Sequence, residues 1–232
     1  MNIKIQALIK FVSGLIMVML LIFVPAGTLH YINGWILTGI LFIPMLIMGI
    51  IMSVKNPELL EKRLNAKEKL SRQKNIIRLS GIIFSAGFIV AGLNYRFKWL
   101  VIPQLTVIIA SIVFLLSYLM YAEILRENKY LSRTVEVQEN QKIIDTGLYG
   151  IVRHPMYTAT ILMFLSIPLI LGSLQSFIIF LLYPVIIVMR LRNEEKFLEN
   201  NLDGYSQYKN KVRPCLKNKS CTKGKKVIYL RV

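Results

Sequence analysis

Apolar residues fall in six long blocks: about Ile9 to Ala26, Gly34 to Val54, Ile76 to Leu93, Leu100 to Ile124, Tyr157 to Leu171 and Leu174 to Met189. At a helical rise of ~1.5 Å per residue, a hydrocarbon core of ~30 Å takes roughly 20 residues. The first four blocks are therefore full spans. The last two are short, and must stand upright, thin the bilayer or form a tight hairpin whose turn is Gly172 and Ser173. A five-span arrangement with one re-entrant half-hairpin fits the same pattern.

Basic residues alternate with these blocks. Lys55, Lys62, Arg63, Lys67, Lys69, Arg72, Lys74 and Arg78 lie between the second and third blocks, and Arg126, Lys129, Arg133, Lys142 and Arg153 between the fourth and fifth. Both loops are expected in the cytoplasm. The Leu29 to Asn33 connection, the short Tyr95 to Trp99 connection and the Gly172 turn are then external. Parity places the N-terminus and the basic tail inside. The first block lacks a small-residue cleavage site and is kept as a span. The expected fold is an all-α integral membrane protein, a bundle of five to six transmembrane helices ending in a helical hairpin. One membrane domain covers 1–232, with a four-helix part over 1–124, a C-terminal region over 125–215 and a basic tail over 216–232.

Composition agrees: 55% hydrophobic residues, 18% charged and a mean hydropathy of +0.54 are too apolar for an ordinary soluble domain. A net charge of +17 raises nucleic acid as a partner, but the charges sit between apolar blocks and in the tail, which points to membrane lipids and not to nucleic acid. Cys215 and Cys221, alone in a Lys-rich tail, indicate neither zinc nor a disulfide, and no metal site is expected. His30 stands isolated beside the interface aromatics Tyr31 and Trp35. Richness in Ile, Lys and Asn fits a bacterial plasma membrane. The sequence sets no oligomeric state.

Chemistry concentrates in Gly147 to Tyr157, where an arginine, a histidine and two tyrosines border an apolar block. Pro155 suits the first turn of a helix, and the positive end of that helix, with Arg153 and His154 beside it, favours an anionic group. The plainer reading is that both residues anchor a helix at the headgroups. A second cluster, Arg190, Arg192, Glu194 and Glu195, ends the sixth block. A hairpin turning at Gly172 returns it to the depth of Pro155. Arg190 and Glu194, four apart, also suit an ordinary exposed ion pair. Together, however, the clusters supply both a cation and an acid, as a zwitterionic ligand requires.

The residues from Gln141 through Gly147, Tyr149, Val152, Arg153, His154, Pro155 and Tyr157, followed by Glu194-Glu195, Leu198, Tyr205, Tyr208, Val212 and Pro214, resemble the isoprenylcysteine carboxyl methyltransferases and the related phospholipid N-methyltransferases. The segment Asn56 to Arg63 looks like a loop of bacterial members. The resemblance implies S-adenosylmethionine bound in a cytoplasmic C-terminal region rather than on a Rossmann sheet. It places Gln138, Gln141, Lys142, Ile143, Ile144, Tyr149, Arg153, His154, Pro155, Met156, Tyr157 and Glu195 at the cofactor, and Arg190 and Glu194 as the catalytic pair. Ala159 stands where the family carries glycine, and Gln141 where some relatives carry histidine.

By that resemblance the acceptor is lipophilic, lipid-like or of prenylcysteine type, and enters from the bilayer, with carboxylate O-methylation favoured over N- or S-methylation of a phospholipid or small molecule. Two other readings are a sterol-type membrane reductase using a nicotinamide cofactor and a non-enzymatic membrane scaffold. The Glu194-Glu195 pair would repel the phosphates of a dinucleotide, and the charges lie at span ends rather than mid-span.

Overall fold

The computed structural model describes residues 3–64, 71–128, 130–131, 141–202 and 204–212. Gln138, Pro214, Cys215, Cys221 and the tail over 216–232 lie outside them. Ten helices form among the described residues, and no strand. They are α1 (Ile3–Ala26), α2 (Ile32–Lys55), α3 (Pro57–Leu64), α4 (Ser71–Phe97), α5 (Gln104–Glu127), α6 (Gly147–Ile151), α7 (Pro155–Ile170), α8 (Leu174–Phe180), α9 (Leu182–Asn201) and α10 (Tyr205–Lys211). The protein is an all-α integral membrane protein. Five helical stretches are long and apolar enough to cross a bilayer: α1, α2, α4, α5 and the combined α8–α9. Their outer faces present Leu8, Ile16, Leu46, Ile82, Leu116 and Val185 instead of charges, as hydrocarbon requires.

The last span is longer than its apolar block. Helix continues past Met189 to Asn201, giving 28 residues from Leu174, because Arg190 to Asn201 is rich in good helix formers that need no apolar surroundings. The break at Leu181 has a local cause. Pro184 has no N–H for the Phe180 carbonyl and its ring crowds that turn. Asn56 to Arg63 likewise differs from the expected loop: Pro57 opens α3, with Glu58 in its first turn and Lys62 and Arg63 in its last, each matching the helix dipole. Leu59 and Leu60 of α3 pack on Met52 and Leu125.

At one end of the bundle the three short connections meet. The Tyr31 hydroxyl donates to the Leu171 carbonyl, Tyr95 to the His30 carbonyl at 3.2 Å, and the Asn94 amide to the carbonyls of Leu100 and Gly172 at 3.1 and 3.4 Å. Gly172, at φ +72°, is the left-handed residue that ends α7, and Ser173 caps α8 by accepting from the Ser176 N–H at 3.2 Å. The turn expected at Gly172 and Ser173 is thus present. Since Leu171 lies at this end and Pro155 at the other, the 16 residues of α7 cross between the same two ends as their longer neighbours. The opposite end carries α3, α6, the foot of α9 and α10.

The helices approach closely where small residues allow it. A Cβ on Gly92 of α4 would lie 2.5 Å from the Ile22 carbonyl oxygen of α1, so glycine sets the α1–α4 separation in a medium where packing drives association. Gly81, one face away, has open space around it. Gly92→Val should lower stability by about 1–3 kcal/mol, and Gly81→Ala should not, when thermal unfolding is followed in detergent.

Candidate functional site

α7 and α9 are the legs of the hairpin, and their feet form the site. Pro155 takes the first helical position of α7, as its sequence context implies, with His154 just before it. Tyr157 therefore points from the first turn of α7 towards α9. Its hydroxyl donates to a carboxylate oxygen of Glu194 and accepts from Nε of Arg190 at 3.1 Å. Arg190 and Glu194, one turn apart on α9, thus converge on one hydroxyl.

Glu195 faces the other way around α9. Its Oε1 accepts from Nη1 of Arg153 at 2.8 Å and lies 3.4 Å from Nε2 of His154, while its Oε2 lies 3.9 Å from Nζ of Lys209. Arg153 is 5% exposed and His154 8%. Both are buried under protein instead of anchoring at headgroups. Burying the guanidinium is tolerable only because the carboxylate compensates it. The Arg153 Nε is also buried, and has no partner.

α10 closes this arrangement from below. Gly204, at φ +80°, turns the chain back, so that the Tyr205 hydroxyl lies 3.2 Å from Nε2 of His154 and the Tyr208 hydroxyl donates to the Tyr149 carbonyl at 2.8 Å. The Tyr149 hydroxyl accepts from the Asn128 amide at 2.9 Å, which ties α6 to the end of α5. Burial pushes the Tyr208 hydroxyl up to about 12, although the Arg153 charge acts in the opposite direction. Burial likewise raises Tyr149 and Tyr205, with the charges of Glu195 and Glu194 adding to the effect on Tyr205. All three remain protonated at neutral pH.

A cavity of about 120 Å³ lies inside this cage. Gln141, Lys142, Ile143, Ile144, Tyr149, Arg153, His154, Met156, Tyr157, Arg190 and Glu194, all singled out in the sequence, line it. Pro155 and Glu195 do not: Pro155 is buried in α7, and Glu195 holds Arg153 and His154 from behind. The lining also includes Asn128, Tyr130, Leu131, Leu198, Leu202, Tyr205 and Tyr208. Of these, Asn128, Tyr130, Leu131 and Leu202 carry no motif in the sequence. They enter because α5 ends beside α6 and because α9 runs on beyond its apolar block. No group of three or more His, Cys, Asp or Glu able to hold a metal ion occurs among the described residues.

Residues 101–203 match the family model of phospholipid methyltransferases. The matched stretch runs from just before α5 to the end of α9 and contains both clusters of the site. It points to a membrane methyltransferase acting on lipid-like molecules. No curated protein and no solved structure matches the chain.

Arg153→Ala or Glu195→Ala should each destabilise by about 3 kcal/mol, since each strands a buried charge. The double variant should lose clearly less than the sum, as a double-mutant cycle of unfolding in detergent would record. The gap in stability between wild type and Tyr208→Phe should narrow from pH 10 to about 12. There an unfolded tyrosine has lost its proton and the buried one still holds it, so the wild type alone is weakened as pH rises.

Proposed function

We propose that the chain transfers a methyl group from S-adenosylmethionine to a lipophilic acceptor at the cytoplasmic face of the membrane, and that a carboxylate is the favoured acceptor. The observation that carries this reading is the cavity where Arg153, Tyr157, Arg190 and Glu194 meet at the boundary between polar loop and apolar helices. The donor, when bound, supplies a methyl carbon made electrophilic by its sulfonium. The remaining tasks are alignment and exclusion of water.

The residues present fit such a donor. The unpartnered Nε of buried Arg153 suits its carboxylate, with His154 and the first turn of α7 beside it. Ile143, Ile144 and Met156 offer an apolar wall, and Gln141, Lys142 and Tyr149 polar contacts, with Gln138 also assigned to the donor. Glu194 would offset the positive sulfonium, and Glu195 keeps Arg153 and His154 in place. The cavity is smaller than the roughly 300–1,000 Å³ usual for small-molecule sites, so binding must widen it. α10, attached through Gly204 and held by two tyrosine hydroxyls, is the wall best able to yield.

Arg190 would hold a carboxylate acceptor, which needs no general base. An amine acceptor is the second reading, favoured by the family match, and there Glu194, bonded to Tyr157, would receive the proton. Membranes containing the protein, incubated with methyl-labelled donor and extracted with organic solvent, should yield a labelled lipid. Alkali releases volatile label from a methyl ester and leaves a methylated amine intact. Absence of any labelled lipid would defeat the proposal. Arg190→Ala and Glu194→Ala should each reduce transfer by roughly 100-fold or more with insertion unchanged. His154→Ala and Tyr157→Phe should weaken donor binding by about tenfold, the worth of one hydrogen bond, in equilibrium binding to detergent-purified protein.

A further inference from the structure

A second cavity lies on the outer side of the wall formed by Glu195, between α4 and α9. It encloses about 720 Å³, within the roughly 300–1,000 Å³ of small-molecule sites. Its lining is divided along the bundle axis. Ile76 and Leu79 of α4 and Met189 of α9 form the part towards the bilayer, and Arg192, Lys196 and Lys209 the part towards the foot of the bundle.

The charges there do not cancel. Glu195 is bonded to Arg153, and Glu199 to Lys209 at 2.7 Å, so these four form two neutral pairs. Arg192 and Lys196, one turn apart on the exposed face of α9, pair with no acid among the described residues. Two cations are thus left at the mouth of a groove whose inner end is apolar. Asn75 and Asn193 add amides at the same level.

We propose that this groove binds an anionic phospholipid, with an acyl chain along Ile76, Leu79 and Met189 and the phosphate between Arg192 and Lys196. Charge complementarity and the division of the lining favour this occupant. A zwitterionic lipid would leave the cations uncompensated, and a soluble anion would leave the apolar half unfilled. The groove is separate from the cavity of Tyr157 and Glu194, and the assignment holds whether or not the chain transfers methyl groups.

The test uses full-length protein reconstituted in vesicles of equimolar phosphatidylglycerol and phosphatidylcholine, extracted gently and analysed by native mass spectrometry for retained lipid. Phosphatidylglycerol should be retained in preference by roughly ten- to thirty-fold, the effect of two basic side chains at a membrane surface. Arg192→Glu with Lys196→Glu should abolish the preference, and Leu79→Trp, which fills the apolar half without changing charge, should reduce retention of the lipid itself. Lys55→Glu, an exposed cation at the same end of the bundle, should change neither. Equal retention of the two lipids, an equal loss with Lys55→Glu, or unchanged retention in Leu79→Trp would each overturn the proposal.

Discussion

The contact on which the site depends is the buried pairing of Arg153 with Glu195. A guanidinium almost wholly removed from water must be compensated where it sits, and the only acid bonded to it comes from a helix some forty residues further along the chain. That pairing locks the foot of α7 to the foot of α9. Once it is made, the register between the two legs is set, and Tyr157 meets Arg190 and Glu194 on the neighbouring face of α9. Removing the compensation would free both the loop before α7 and the wall of the cavity.

The two adjacent acids therefore do different work, and the reason is helical geometry. Successive residues on a helix point about 100° apart, so Glu194 turns inward to the cavity while Glu195 turns towards Arg153, His154 and Lys209. One is placed where a ligand would meet it. The other is spent on the protein's own cations. α10 joins the same network through Tyr205 and Tyr208, whose hydroxyls reach His154 and the Tyr149 carbonyl, so the covering wall is attached by hydrogen bonds and not by a large apolar interface.

The opposite end of the bundle supports this placement from a distance. Tyr31, Asn94 and Tyr95 bond the three short connections together, which fixes the depth of the Gly172 turn and with it the depth to which both legs return. Gly92 lets α4 approach α1, and α4 in turn supports α8 and α9. Membrane embedding, hairpin return and site are thus one mechanical arrangement, in which the turn and the feet sit at opposite ends of the same two helices.

Much of this was legible in the chain alone. Runs of apolar residues long enough to span a bilayer declare themselves, because hydrocarbon tolerates nothing else there; Pro155 marks a helix start and Gly172 a turn because backbone sterics restrict what else can occupy such positions. Spacing also brought Arg190 and Glu194 to one face, and the hairpin brought them to the level of Tyr157. Sequence did not reveal α3, whose eight residues are too few to show a period, nor the continuation of α9 beyond Met189, where helix persists without an apolar signal. Nor could it divide the roles of Glu194 and Glu195, or place Asn128 and Leu202 at the cavity. Those outcomes depend on the rotation of one helix against another and on which distant groups lie within hydrogen-bond reach, and only the packed tertiary structure sets them.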